Sequence, residues 1–416
     1  MKLKLLSSLL ICFCFLSVQH VGAQCSGPRY IDSVFDHYTV TTVTYSTPYN
    51  LQMDIYQPVG DSLPVRPLIV LAHGGSFTSG TRTDDSTIVW LCRDLAHKGY
   101  VTASIDYRLT TDLNLIYPTN GDSAISEVLE AIGDGKASVR YFYKDVLTNG
   151  NSFKIDTNNI FIGGNSAGAV LAMHYAYVDS VNELSATFQT ILARVDGDLD
   201  GNSGNPGYSS NIKGVVSLAG GLNEVSWIGQ CSKPIVMAQG TYDSIVPYIC
   251  GNPEDGIVNV TLCGLGSCAA NIVANTPLFD TLTFIGAGHV PWQNGGQDFY
   301  MVDTLVTGFL FNAIGSTFTA PCSMTPSPCP TYLPLGIQSI SDLANITIYP
   351  NPASNLLNIS SSEYIKTISV TDETGRTVIS AGDINALKYQ LNTSRLNAGI
   401  YFVAINSSHV RKVTIE

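Results

Sequence analysis

The run Ile160-Phe161-Ile162-Gly163-Gly164-Asn165-Ser166-Ala167-Gly168-Ala169 constrains the fold more than any other stretch of the chain. An apolar strand runs into Gly-x-Ser-x-Gly, and helix-forming residues Val170 to Tyr177 follow at once. The spacing predicts a sharp strand-to-helix turn, with glycine at 164 and 168 where a Cβ would meet neighbouring backbone and with the Ser166 hydroxyl exposed at a helix N-terminus. In a chain with 37 glycines the pattern alone arises by chance, so its surroundings decide its meaning.

Those surroundings are α/β. Short apolar runs at 67–72, 101–107, 159–163, 213–219, 234–239 and 281–285 are each followed by a helix-length segment. Runs that are apolar without alternation are buried on both faces, as in a mostly parallel sheet flanked by helices. Helical periodicity covers 84–98, 123–146 and 297–314. Before the first run, β-rich segments at 38–45 and 51–56 flank Thr47-Pro48-Tyr49-Asn50 and predict an antiparallel hairpin.

Beyond residue 315 the composition changes. Pro321, Pro326, Pro328, Pro330 and Pro334 stand among Ser, Thr and Cys, which predicts a semi-rigid linker over 316–344. Residues 345–416 alternate over short stretches with turn signals between them, the pattern of a small all-β sandwich. At the other end, Lys2 and Lys4 precede an apolar run from Leu5 to Val18 and then Val21-Gly22-Ala23. This predicts a signal peptide over 1–23, the apolar stretch being shorter than the roughly 20 residues of a membrane span. The expected domains are therefore 1–23, a catalytic domain over 24–315, the linker, and 345–416.

Export sets the reading of cysteine and charge. Without Cys12 and Cys14 eight cysteines remain, an even number that suggests disulfides in an oxidising compartment. The close pairs Cys263/Cys268 and Cys322/Cys329 are the expected bridges. No Cys-x-x-Cys or His-Glu-x-x-His spacing calls for zinc. The net charge of −12, or −14 without Lys2 and Lys4, opposes binding to nucleic acid or anionic lipid.

Three features surround Ser166 with chemistry. His73-Gly74-Gly75-Ser76-Phe77 follows the strand at 67–72, where backbone N–H groups of Gly74 and Gly75, with that of Ala167, are expected to form an oxyanion hole. His73 itself is expected to pack within that loop. A base is found by elimination: His20 lies in the signal peptide, His37 precedes the sheet, His97 is in a helix, His174 is in the helix after Ser166, and His409 is in the tail. His289 remains, on a glycine-rich loop after the last apolar strand. Asp243, just past the strand at 234–239, is the acid that would orient it, with Asp255 and Asp280 as less suitable alternatives. No cofactor is expected. Asp196, Asp198 and Asp200 begin like an EF-hand calcium loop, but Gly207 stands where a bidentate Glu is required, so a solvated acidic loop is the expectation. Tyr208, Trp227, Tyr248 and Trp292 are candidates for lining an acyl or aromatic pocket.

Taken together, HGGSF at 73–77, SIDYRL at 104–109, GGNSAGA at 163–169, GTYDSIVP at 240–247 and GAGHVPW at 286–292 resemble the carboxylesterases and feruloyl-esterase-like members of the α/β-hydrolase superfamily. The resemblance implies a serine carboxylesterase with Ser166, Asp243 and His289 as its triad. Two departures, Ser76 in place of a third glycine and Gln239 where His often stands, touch the question of substrate. A prolyl-oligopeptidase-like peptidase shares the triad order but carries a β-propeller for which the N-terminal region is too short. A catalytically silent surface-binding relative would usually lack a triad member. The tail resembles the C-terminal sorting domain of the Bacteroidetes type IX secretion system, through Ile348-Tyr349-Pro350-Asn351-Pro352-Ala353, Asp372-Glu373-Thr374-Gly375-Arg376, Asn397-Ala398-Gly399-Ile400-Tyr401-Phe402-Val403 and the terminal Lys412-Val413-Thr414-Ile415. That likeness implies the secretion machinery as a partner and passage to the cell surface or beyond. The alternative is an ordinary carbohydrate-binding or adhesive sandwich.

Overall fold

Alternating polar and apolar residues in β1 (Tyr38–Ser46) and β2 (Leu51–Pro58) pair antiparallel across the turn at 47–50, as their pattern predicts. The computed structural model describes residues 29–110, 122–230, 232–315, 347–372, 377–382, 384–406 and 409–416. The segments 1–23 and 316–344, with Cys322 and Cys329, lie outside the described residues. The remainder forms two compact units that divide near residue 332.

The first unit is built on an eight-stranded sheet in the order β1-β2-β4-β3-β5-β6-β7-β8. The strands β3 (Arg66–Ala72), β4 (Val101–Ile105), β6 (Gly214–Leu218) and β7 (Ile235–Gly240) are buried along their whole length. They run parallel, together with β5 (Ile155–Asn165) and β8 (Phe279–Phe284), while β2 is antiparallel to both its neighbours. Both faces of these strands are covered, which is why their sequences do not alternate. On one face α1 (Ser86–His97) and α6 (Gly296–Gly315) pack Ile88, Leu91, Leu95, Val302, Val306 and Phe309 against Ile69, Leu71 and Val236. On the other, α2 (Asp122–Thr148), α3 (Ala167–Tyr177), α4 (Ala186–Val195) and α5 (Leu265–Asn275) close over Leu68, Val70, Ile162 and Val215. Burying one such aliphatic side chain contributes about 1.5–3 kcal/mol, so the two-sided core outweighs any single polar contact.

α4 and α5 lie outside the expected helices, although both carry the spacing of an amphipathic helix: Phe188, Ile191, Leu192 and Val195 in one, and Leu265, Cys268, Ala269 and Ile272 in the other.

The second unit is all-β. One sheet has the order β13-β10-β9, from β9 (Thr347–Tyr349), β10 (Leu356–Ile365) and β13 (Ala386–Asn392). The other runs β12-β11-β14-β15, from β11 (Ile368–Asp372), β12 (Thr377–Ala381), β14 (Gly399–Ile405) and β15 (His409–Ile415). Alternate residues, among them Leu357, Ile359, Val370, Val403, Ile405 and Val413, form its core.

Candidate active site

Ser166 stands where β5 ends and α3 begins, with φ 54° and ψ −119°. A non-glycine residue there is strained by about 1–3 kcal/mol, and the close packing around it holds it in place. A Cβ at Gly164 would lie 2.3 Å from the carbonyl carbon of Gly168, and one at Gly168 would lie 2.1 Å from the carbonyl oxygen of Ala72. Both glycines are therefore obligatory, for the reason the sequence suggests.

Three loops at the carboxyl ends of neighbouring strands bring the other expected residues to Ser166. The Ser166 hydroxyl donates to His289 Nε2 at 2.7 Å. His289 Nδ1 donates to Asp243 at 2.8 Å (Oδ2) and 3.0 Å (Oδ1). The Asp243 carboxylate is fully enclosed and also accepts from the N–H groups of Ile245 at 3.1 Å and Val246 at 3.0 Å. Gln239, in the position that departs from the family pattern, braces this turn: its amide donates to the Val246 carbonyl at 2.7 Å and accepts from the Leu265 N–H at 2.7 Å. A Cβ at Gly240 would fall 2.2 Å from the Gly288 carbonyl, so glycine there allows the acid turn to approach the histidine loop. Asp255 is exposed, and Asp280 belongs to β8.

The expected oxyanion donors need one correction. The Gly74 N–H is donated to Asp85 Oδ2 at 2.9 Å, so it faces away from any reacting oxygen. Gly75, with φ 118°, and Ser76, with φ 52°, turn the chain back, and Ser76 lines the same cavity as Ser166 and Ala167. The N–H groups of Gly75, Ser76 and Ala167 donate to no partner among the described residues. His73 is a packing residue, as expected: it stacks on Tyr107 with ring centroids 4.4 Å apart and bonds the Gly74 carbonyl, and burial lowers its pKa.

Asp85 is a residue the sequence did not single out. Its Oδ1 caps α1 through the N–H groups of Thr87 at 3.0 Å and Ile88 at 3.4 Å, while Oδ2 takes Gly74 N–H and the Asn165 side-chain amide at 3.0 Å. Asn165 Oδ1 in turn accepts from Trp292 Nε1 at 3.2 Å. One carboxylate thus joins the glycine loop, the serine turn and, through Asn165, the segment after His289. The helix expected over 84–98 took Asp85 in as its second residue, so neither the N-cap nor its long-range partners was read from the sequence.

An apolar cavity of about 290 Å³ opens from Ser166 and Ala167 between α2, α3 and the 245–262 segment. Of the four aromatic candidates only Trp227 lines it. Trp292 is fully buried against Phe284, where its indole N–H serves Asn165. The wall segment is closed by a disulfide between Cys250 and Cys263. The expected pairing of Cys263 with Cys268 is thereby corrected: Cys268 sits in the first turn of α5 with its thiol buried in the core. Cys250 reaches Cys263 because Gly251 and Leu262 pair across the loop.

The acidic run at 196–200 does not gather. Asp196 is paired with Arg108 at 2.9 Å, Asp198 accepts the N–H groups of Asp200 and Gly201, and Asp200 meets Lys136 at 3.4 Å. Among the described residues no group of three His, Cys, Asp or Glu is arranged to hold a metal ion.

Comparison with known proteins agrees with this architecture. Residues 53–227 match the BD-FAE family, and residues 347–416 match the secretion system C-terminal sorting domain. The part of the chain over 53–227 is thus esterase-like, and that over 347–416 is a secretion sorting domain. Among solved structures it is similar to esterase 2 of Thermogutta terrifontis: the apo form at 21% identity and TM-score 0.47, and the propionate-bound form at 19% and 0.47, each match covering 65% of this chain and 93% of that one.

Proposed function

We propose that this chain is an exported serine carboxylesterase that hydrolyses esters through an acyl-enzyme on Ser166. The observation that carries the proposal is the unbroken hydrogen-bonded line from Asp243 through His289 to Ser166. His289 takes the serine proton as Oγ attacks the ester carbonyl, and Asp243 holds the imidazole in the tautomer that presents Nε2. The N–H groups of Ala167, Gly75 and Ser76 receive the developing oxyanion. Each such donor is worth about 3–4 kcal/mol in the transition state. His289 then passes its proton to the departing alcohol, and the same base activates a water that releases the carboxylic acid. No step calls on a cofactor.

The sorting domain supports export. We read residues 1–23 as a removed signal peptide, 24–315 as the catalytic domain, 316–344 as a linker and 345–416 as the part recognised by the type IX machinery. Among the described residues no helix is long and apolar enough to cross a membrane. The test of the chemistry is Ser166→Ala in the full-length protein. It should abolish both fluorophosphonate labelling and p-nitrophenyl ester hydrolysis, and undiminished hydrolysis would overturn the reading.

A further inference from the structure

We infer that the cavity beside Ser166 is a binding site for the acyl chain of a medium-length saturated fatty ester, and that acetate and hydroxycinnamate esters are the poorer substrates. The inference rests on the serine-esterase reading above and names its substrate class.

The walls are aliphatic and aromatic. Leu129 and Ile132 from α2, Val170 and Val178 from α3 and its end, and Leu184 and Phe188 beyond it enclose the space, and its volume reaches the lower end of the roughly 300–1,000 Å³ usual for small-molecule sites. An acetyl group would leave most of this surface uncovered.

Most of the polar side chains that line the cavity are engaged within the protein, and the Glu254 carboxylate adds one acidic group to the lining. Thr78 donates to the Gly75 carbonyl, and Ser76 donates to Glu254. The Asn223 side chain donates to the Thr261 carbonyl, and the Trp227 indole to that of Glu183. His174 bonds the Val170 carbonyl through Nδ1 and accepts the Asn223 N–H at Nε2. Burial lowers its pKa to about 4, so the ring adds no charge to the cavity. Away from Glu254 and the Asn223 amide oxygen, a phenolic hydroxyl carried into these walls would lose water without an equivalent partner, whereas a methylene chain loses nothing.

Ile125, Leu184, Phe188, Trp227 and Val260 also line a second, more polar space that reaches Glu183, Glu224 and Asn252. The two carboxylates on that side disfavour an acyl chain that ends in a carboxylate.

Full-length protein assayed on p-nitrophenyl acetate, butyrate, hexanoate, octanoate and decanoate and on methyl ferulate tests the inference. Each buried methylene is worth at best about fourfold in kcat/KM, so octanoate should exceed acetate by at least tenfold and ferulate should not exceed acetate. Ile125→Trp, which fills part of the cavity, should erase most of the octanoate advantage, read as a fall in the octanoate-to-acetate ratio of kcat/KM. Val260→Trp should do the same from the opposite wall. Labelled, active enzyme that prefers acetate or ferulate, or an octanoate preference untouched by both variants, would overturn this inference alone. No labelling and no hydrolysis of any ester would overturn the esterase reading, and this inference with it.

Discussion

The proposed reacting centre and the cavity beside it are made in different ways. Ser166, Asp243 and His289 sit on short turns at the carboxyl ends of β5, β7 and β8, each fixed by the strand before it. The cavity is walled by α2, α3, the 184–188 stretch and the disulfide-closed 245–262 segment, none of which belongs to the sheet. Sheet-anchored turns give positions accurate enough for proton transfer. Peripheral segments give a surface whose shape can vary without disturbing the reacting atoms. Damage to the first should therefore appear in kcat for every ester, and damage to the second in selectivity and stability.

The largest effect belongs to the centre. Ser166→Ala or His289→Ala should lower kcat by roughly 10⁴- to 10⁶-fold on all chain lengths alike. Asp243→Asn should cost about 10⁴-fold with the fold intact, because the imidazole is then held in the wrong tautomer. A loss confined to long chains would break the division drawn above.

Asp85→Ala tests whether positioning belongs with the centre. Losing the clamp on Gly74 and Asn165 should reduce kcat by about 10- to 100-fold with little change in KM, a fraction of what a lost oxyanion donor costs. Asp85→Asn, which keeps an acceptor oxygen, should recover part of the loss. Equal effects on kcat and on thermal stability, without rescue, would reduce Asp85 to a helix cap.

On the cavity side, replacing Cys250 and Cys263 by serine should cost at most about 3 kcal/mol, as expected for a loop of this length, read as a fall in melting temperature. Octanoate activity should drop more than acetate activity, because Pro253, Ile257, Val258 and Leu262 lie within the closed loop.

The smallest effect concerns His174. Its pKa is lowered by burial to about 4 in the folded protein, against about 6.5 when exposed. Between those values the unfolded chain binds more protons than the folded one, so stability from this group is complete above about pH 6.5 and is lost as pH falls toward 4. The full loss is about 3 kcal/mol. His174→Gln should flatten the fall in melting temperature over that window, with esterase activity at neutral pH altered only through chain-length preference.

The C-terminal unit is a third region, legible for a different reason. Its strands alternate, so Leu357, Ile359, Val403 and Ile405 fall on one side by simple period-two geometry. In the hydrolase unit the buried strands were found by the absence of alternation, and β3 to β7 came out within a few residues of their expected ends. α4 and α5 were not expected, although each carries one apolar stripe at helical spacing; at 10 and 11 residues each stripe is only two turns or so long.

Sequence by itself determined the serine turn, the order Ser166, Asp243, His289, the two-sided sheet and the alternating tail. Each rests on local demands: a glycine where Cβ cannot fit, an acid or base just past a strand, a period of two. Only the tertiary structure decided that Gly74 turns its N–H to Asp85, that Trp292 serves Asn165, that Cys250 rather than Cys268 meets Cys263, and that the space beside Ser166 is apolar. Those outcomes join residues 11 to 127 positions apart. At such separations the partner is chosen by packing, and packing leaves no spacing to read.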